Sequence, residues 1–238
     1  MMIKKIVVAL AMLSSIASVA QEIKRPTELW VFRSVLDKRP RVITVALHND
    51  LYVAYDGNNC GVFKIWKEGV NLDGAVYTTK HGPQPTSLGK PYSMGLVDEQ
   101  IWNVYKDGKE VVIRVAFKGY TWKANKVTFN YHLILENNQI ILVSETPEYA
   151  LKPKENKSGL ERIFTVKDLP AGYTAGVRIN TENMVDKTDF VTDGNFKTET
   201  KTDKYETFGT LWNTKGVLFL KPNGITKLTT YFSPEVVK

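Results

Sequence analysis

The chain has 238 residues, a formal net charge of +7, 43% hydrophobic and 11% aromatic residues, and one cysteine. That apolar content sustains a sizeable core, and a single cysteine excludes both an internal disulfide framework and the C-x-x-C-H attachment of a c-type haem. The charge is only mildly basic and its lysines are interspersed with acids, as from Lys197 to Glu206, so the basic stripe and motif of a nucleic-acid binder are missing.

The amino terminus reads as an export signal. Lys4 and Lys5 precede the apolar run from Ile6 to Leu13, and small residues lead to Ser18-Val19-Ala20. A spanning helix needs about 20 predominantly apolar residues, and Ser14, Ser15 and Ser18 interrupt the run first. Cleavage after Ala20 would leave 218 residues beginning at Gln21 and lower the charge from +7 to +5. The expected product is periplasmic or secreted, with no membrane span after cleavage.

From there short β-patterns follow one another. Residues Glu28 to Leu36 are rich in aromatic and branched side chains. Arg41 to His48 alternates, with Ile43, Val45 and Leu47 on one face. Asn49-Asp50 turns this run into Leu51 to Asp56 as a hairpin, because both residues tolerate left-handed backbone. A second turn at residues 56 to 59 precedes Cys60 to Lys67. Ile101 to Tyr105 and Glu110 to Phe117 flank an Asp-Gly turn signal. Val127 to Leu135 sends Val127, Phe129, Tyr131, Leu133 and Leu135 to one side, and residues 136 to 138 turn it into Gln139 to Glu145.

Pro147 to Ser158 reads as an exposed connection and the best candidate for a change of sheet. Strand patterns resume in the last third, with Asp186 to Glu206 expected as long exposed strands or a loop. No stretch after the signal has convincing 3.6-residue periodicity, and no 20–50-residue repeat suggests a propeller. The expected fold is all-β: one large antiparallel β-sandwich over residues 21–238, of the extended kind seen in mutarotase-like sugar enzymes.

Catalytic signatures are incomplete. No G-x-S-x-G elbow is present. Cys60 lacks a sequence-local base, and a lone cysteine is most often a small buried apolar residue. Blue copper would draw on Cys60, His48, His81 and Met94, and a zinc site on His48, His81 and His132. Neither spacing is diagnostic, so no metal and no cofactor is expected. Asp56, Asp73 and Glu145, placed near strand ends or turns, offer carboxylate pairs of the glycosidase type.

The stretch from Tyr55 to Gly89 holds the only cysteine, one of the three histidines, Trp66 between Lys64 and Lys67, and a polar loop with Pro83 and Pro85. Trp66, Tyr77, Trp102 and Trp122 are candidate stacking surfaces, while Trp30 reads as core. Asp73, His81 and Gln84 supply hydrogen bonds to hydroxyls, a combination suited to sugars. The expected ligand-binding set is therefore Trp66, Asp73, Tyr77, His81 and Gln84.

Residues Trp30 to Tyr149 carry three distinctive stretches: FRSVLD at Phe32 to Asp37, Cys60 to Trp66, and HGPQP at His81 to Pro85. In these the chain resembles an uncharacterised exported β-rich module that accompanies c-type cytochromes and sugar or sorbosone dehydrogenase-like propeller proteins. The resemblance implies an exported sandwich near carbohydrate oxidation. This chain departs from those larger proteins in having neither the haem motif nor the propeller. Taken together, the reading is a ligand-binding or accessory module with carbohydrate as the favoured ligand. The alternatives are a carbohydrate-active enzyme using Asp73 or His81 as acid or base, and a docking domain for a separate exported cytochrome or dehydrogenase.

Overall fold

In a computed structural model, the structure describes residues 29–72, 84–95, 99–180, 189–198, 205–206 and 215–232. The expected export signal, residues 1–20, lies outside them. Nearly all regular structure is strand. The chain begins β1 (Trp30–Leu36), β2 (Arg39–His48), β3 (Leu51–Asp56), β4 (Gly61–Trp66), β5 (Val70–Asn71), β6 (Thr86–Ser87) and β7 (Pro91–Met94). It continues with β8 (Trp102–Lys106), β9 (Lys109–Val111), β10 (Ile113–Lys123), β11 (Lys126–Leu135) and β12 (Ile140–Lys152). A 3-10 turn at Pro153–Glu155 leads to β13 (Lys157–Lys167) and β14 (Tyr173–Asn180). The last strands are β15 (Asp189–Thr192), β16 (Asn195–Thr198), β17 (Tyr205–Glu206), β18 (Lys215–Phe219) and β19 (Ile225–Phe232). No helix among the described residues is long and apolar enough to cross a membrane.

Three large antiparallel sheets result. The first runs β1-β2-β3-β4-β7, the second β10-β11-β12-β13-β19-β15, and the third β17-β16-β18-β14-β8-β9. A small β5-β6 ribbon accompanies the first. One apolar core draws on all three large sheets, including Val45 and Val53 from the first, Phe129, Leu133 and Phe164 from the second, and Trp102, Val177 and Leu218 from the third. The alternation expected along β11 is realised, with Val127, Phe129, Tyr131, Leu133 and Leu135 all buried. The fold is all-β and sandwich-like, as the strand patterns implied.

The first sheet is buried on both faces. One face joins the main core through Ile43, Val45, Leu51, Val53 and Tyr55. The other forms a second cluster of Leu36, Val42, Ala46, Tyr52, Ala54, Phe63 and Trp66. This explains why β3 is buried at every position, a pattern expected when both pleat faces are covered. The turn between β1 and β2 is Asp37-Lys38, both at positive φ (48° and 68°), as the tightest right-twisted hairpins require.

Three expectations are corrected. Glu110 to Phe117 is not one strand: exposed Val112 separates β9, in the third sheet, from β10, in the second. That break is a change of sheet. Pro147 to Ser158 is not one. β12 continues through Pro147 to Lys152 and pairs with β13 along its length, Pro147 opposite Arg162. Pro147 is tolerated because the register with β11 has already ended at Glu145, leaving its missing N–H on an unpaired edge. Within Asp186 to Glu206, expected to be exposed, the described residues Phe190 and Phe196 are buried.

Candidate functional site

Of the five residues expected to contact a ligand, Asp73, Tyr77 and His81 lie outside the described residues. Gln84 is exposed, next to buried Pro85. Trp66 departs from its expected role. It is fully buried in the second cluster, stacked on Tyr52 at 5.5 Å, and its Nε1 donates to Gly69 O at 2.7 Å. With both ring faces packed and its N–H satisfied, the indole offers no stacking surface. Trp102 is equally sealed and donates to Cys60 O at 2.8 Å. Trp122, 53% exposed near the β10–β11 turn, is the open indole of the three.

The descent from β4 explains why Trp66 is covered. Gly69, at φ 93°, takes a backbone shape that costs an L-residue strain and turns the chain back over the sheet. Its carbonyl accepts both Trp66 Nε1 and Leu88 N, the latter at 3.0 Å. Val70 and Asn71 then pair with Ser87 and Thr86.

The same place holds a half-buried ionic network that joins the three distinctive stretches. Lys64 Nζ donates to Asp37 Oδ2 at 2.8 Å and to Ser87 Oγ at 2.5 Å. Ser87 Oγ donates to Asp37 Oδ2 at 2.7 Å, and Ser87 N to Asp37 Oδ1 at 2.9 Å. Asp37 N closes the set on Pro85 O at 3.1 Å. Burial alone would raise the Asp37 pKa, but the hydrogen bonds from Lys64 and Ser87 and the Lys64 charge outweigh it and hold it below the ordinary range. A Ser beside a Lys suggests nucleophilic chemistry, but activation needs a base with a free lone pair. An ammonium already ion-paired with a carboxylate has none. The network fastens residues 84–89 to the sheet.

The remaining candidate groups are committed to the fold. Asp56 is 3% exposed, accepts Arg39 Nε at 2.5 Å and Asn58 N at 2.7 Å, and so holds a turn. Glu145, expected near a strand end, lies within β12 and is fully buried. Arg162 donates to it twice, Nε to Oε1 at 2.6 Å and Nη2 to Oε2 at 3.1 Å, while Tyr55 OH donates to Oε1 at 2.7 Å. The oxygens of both carboxylates are taken up by these donors, which gives them a structural role. Cys60 is buried, as a lone cysteine usually is, and its thiol is pushed up to about 11 by burial and then by the nearby Asp56 charge. It is no nucleophile in this state.

His48 is exposed, paired through Nδ1 with Asp50 and stacked on Tyr149 at 4.1 Å. His132 is half-buried on β11. No group of three or more His, Cys, Asp or Glu side chains suited to a metal ion occurs among the described residues.

The sequence reading missed a cavity of about 50 Å³ where the three large sheets meet. Its apolar walls include Ile65, Ile101, Phe190 and Leu228, and Ser93, Arg162, Arg178, Asn180 and Thr230 also line it. A signal for it was present. In β12 and β13, Glu145 and Arg162 occupy the same alternation as buried Ile141, Val143, Leu160 and Phe164. Opposite charges at inward positions of neighbouring strands mark an internal polar site.

No protein-family model matches the chain, and no curated protein matches it.

Proposed function

We propose that the chain is an exported ligand-binding or accessory module whose binding region is the segment fastened over the outer face of the first sheet, with carbohydrate as the ligand class. The observation that carries this reading is the convergence of Asp37, Lys64 and Ser87, one from or beside each distinctive stretch, into one hydrogen-bonded network. A network of this kind presents the adjoining residues on a rigid base, which is what a binding site needs to avoid ordering costs. Gln84, exposed beside it, and the preceding Asp73, Tyr77 and His81 bring amide, carboxylate, phenol and imidazole groups within one short segment. Trp66 acts from beneath, as packing. Tyr77 is then the aromatic group for stacking.

The test is a glycan and small-sugar binding screen on the mature chain, with Asp73→Asn and Gln84→Ala alongside. Binding by the parent chain that either substitution weakens, with no product formed, supports the module. Turnover that Asp73→Asn abolishes while binding persists would replace it with the enzyme reading. No binding to any sugar removes carbohydrate as the ligand class.

A further inference from the structure

We infer that the cavity at the junction of the three large sheets is a binding site for a small carboxylate, held by Arg162, Ser93 and Thr230.

The geometry of Arg162 comes first. A guanidinium has five N–H bonds arranged as two forks. Glu145 occupies the Nε/Nη2 fork with two hydrogen bonds. Glu145 does not engage the end-on fork, formed by Nη1 and the second N–H of Nη2. The Arg162 side chain is only 9% exposed, and the residue lines the cavity. Donors that open onto a cavity are left to water or to a ligand, so this fork is available to an occupant.

Two further groups share the situation. Ser93 and Thr230 are each 3% exposed and line the same cavity. Neither hydroxyl has a hydrogen-bond partner among the described residues. A planar carboxylate matches the end-on fork bidentately, and two hydroxyls supply further donors to its oxygens. Arg178 also lines the cavity, with its Nη1 3.9 Å from Oε2 of exposed Glu99.

The guanidinium is also held in place beforehand. Glu145 fixes its plane, and its Cζ sits 4.9 Å over the Phe164 ring. A donor fixed before binding loses little entropy on binding. Size limits the ligand. By this measure a water needs about 10–15 Å³, so about 50 Å³ accommodates a carboxylate with one or two carbons. The apolar walls suit a methyl or methylene beside it.

The experiment is calorimetric titration of the mature protein with formate, acetate and hexanoate, against chloride at equal ionic strength. Thr230→Val, Ser93→Ala and Arg178→Gln are titrated in parallel, and their melting temperatures are recorded without ligand. Arg162 is left intact because its loss would strand Glu145. The expected result is saturable binding of a carboxylate but not chloride, weakened about tenfold in Thr230→Val and Ser93→Ala, which each delete one donor. Melting temperatures of those two variants should stay near the parent value. Formate and acetate binding with hexanoate excluded supports the site, and hexanoate binding equally well overturns the small-acid assignment. No carboxylate binding beyond chloride overturns it, as does binding that all three variants retain unchanged.

Discussion

Arg162 and Glu145, seventeen residues apart and on adjacent strands, form a two-bonded ion pair in the interior with Glu145 wholly out of solvent. Burial lowers the arginine pKa, but the Glu145 charge and hydrogen bonds reverse this and leave the guanidinium firmly protonated. Removing one partner leaves the other charged and unpaired, which costs about 3–5 kcal/mol. Arg162→Leu and Glu145→Leu should each lose that much in urea denaturation. The double variant should lose less than either, because no charge is stranded, although Tyr55 forfeits its acceptor. Single losses below about 1 kcal/mol would mean that the pair is in effect solvated.

The strands were readable wherever only one face of a sheet is buried or a turn residue marks its end. β11, with five inward apolar residues, and the Asn49-Asp50 turn between β2 and β3 are examples. The second cluster was not readable. Tyr52 and Trp66 alternate as polar-capable aromatics do on an open face, and their burial depends on a chain reversal at Gly69 that no local pattern announces. The long β12–β13 hairpin was hidden by Pro147, whose effect depends on where the neighbouring strand stops. For the site, Asp37, Lys64 and Ser87 are far apart in sequence, so only the folded sheet brings them together.

Cys60 is 2% exposed, and its thiol is raised to about 11 first by burial and then by the Asp56 carboxylate. Thiolate is the reactive form, and access is closed as well. The native protein should react with a disulfide reagent at neutral pH far more slowly than the same chain in denaturant. A stoichiometric rapid reaction under native conditions would contradict the burial.

Alkaline pH should destabilise the fold through its tyrosines. Burial, and after it the Glu145 charge, raises Tyr55 and Tyr131 well above the ordinary phenol range. Tyr149 is pushed to about 12 by burial and then by Asp50. In the unfolded chain these phenols ionise near pH 10, so above that pH the native state holds more protons than the unfolded one. Their stabilising effect is complete below about pH 10 and falls as pH rises through 12. Tyrosinate absorbance should show these groups titrating after the exposed tyrosines, with Tyr55 and Tyr131 ionising only as the protein unfolds. Ionisation of all tyrosines together near pH 10 would refute it.

Asp37 gives the opposite sign at acid pH. Its carboxyl lies below the ordinary range despite burial, because Lys64 and Ser87 donate to it. The lowered folded value means that the stabilisation is present above the ordinary carboxylate pKa of about 3.9 and lost as pH falls through the folded value. Asp37→Ala removes the acceptor of Ser87 N, Ser87 Oγ and Lys64 Nζ together. It should cost about 1–3 kcal/mol at neutral pH and flatten the acid limb of stability against pH. Amide exchange gives a local readout: Ser87 N–H should lose protection while the β11 and β12 amides keep theirs. Unchanged protection at Ser87 would mean that residues 84–89 are held by something other than this carboxylate.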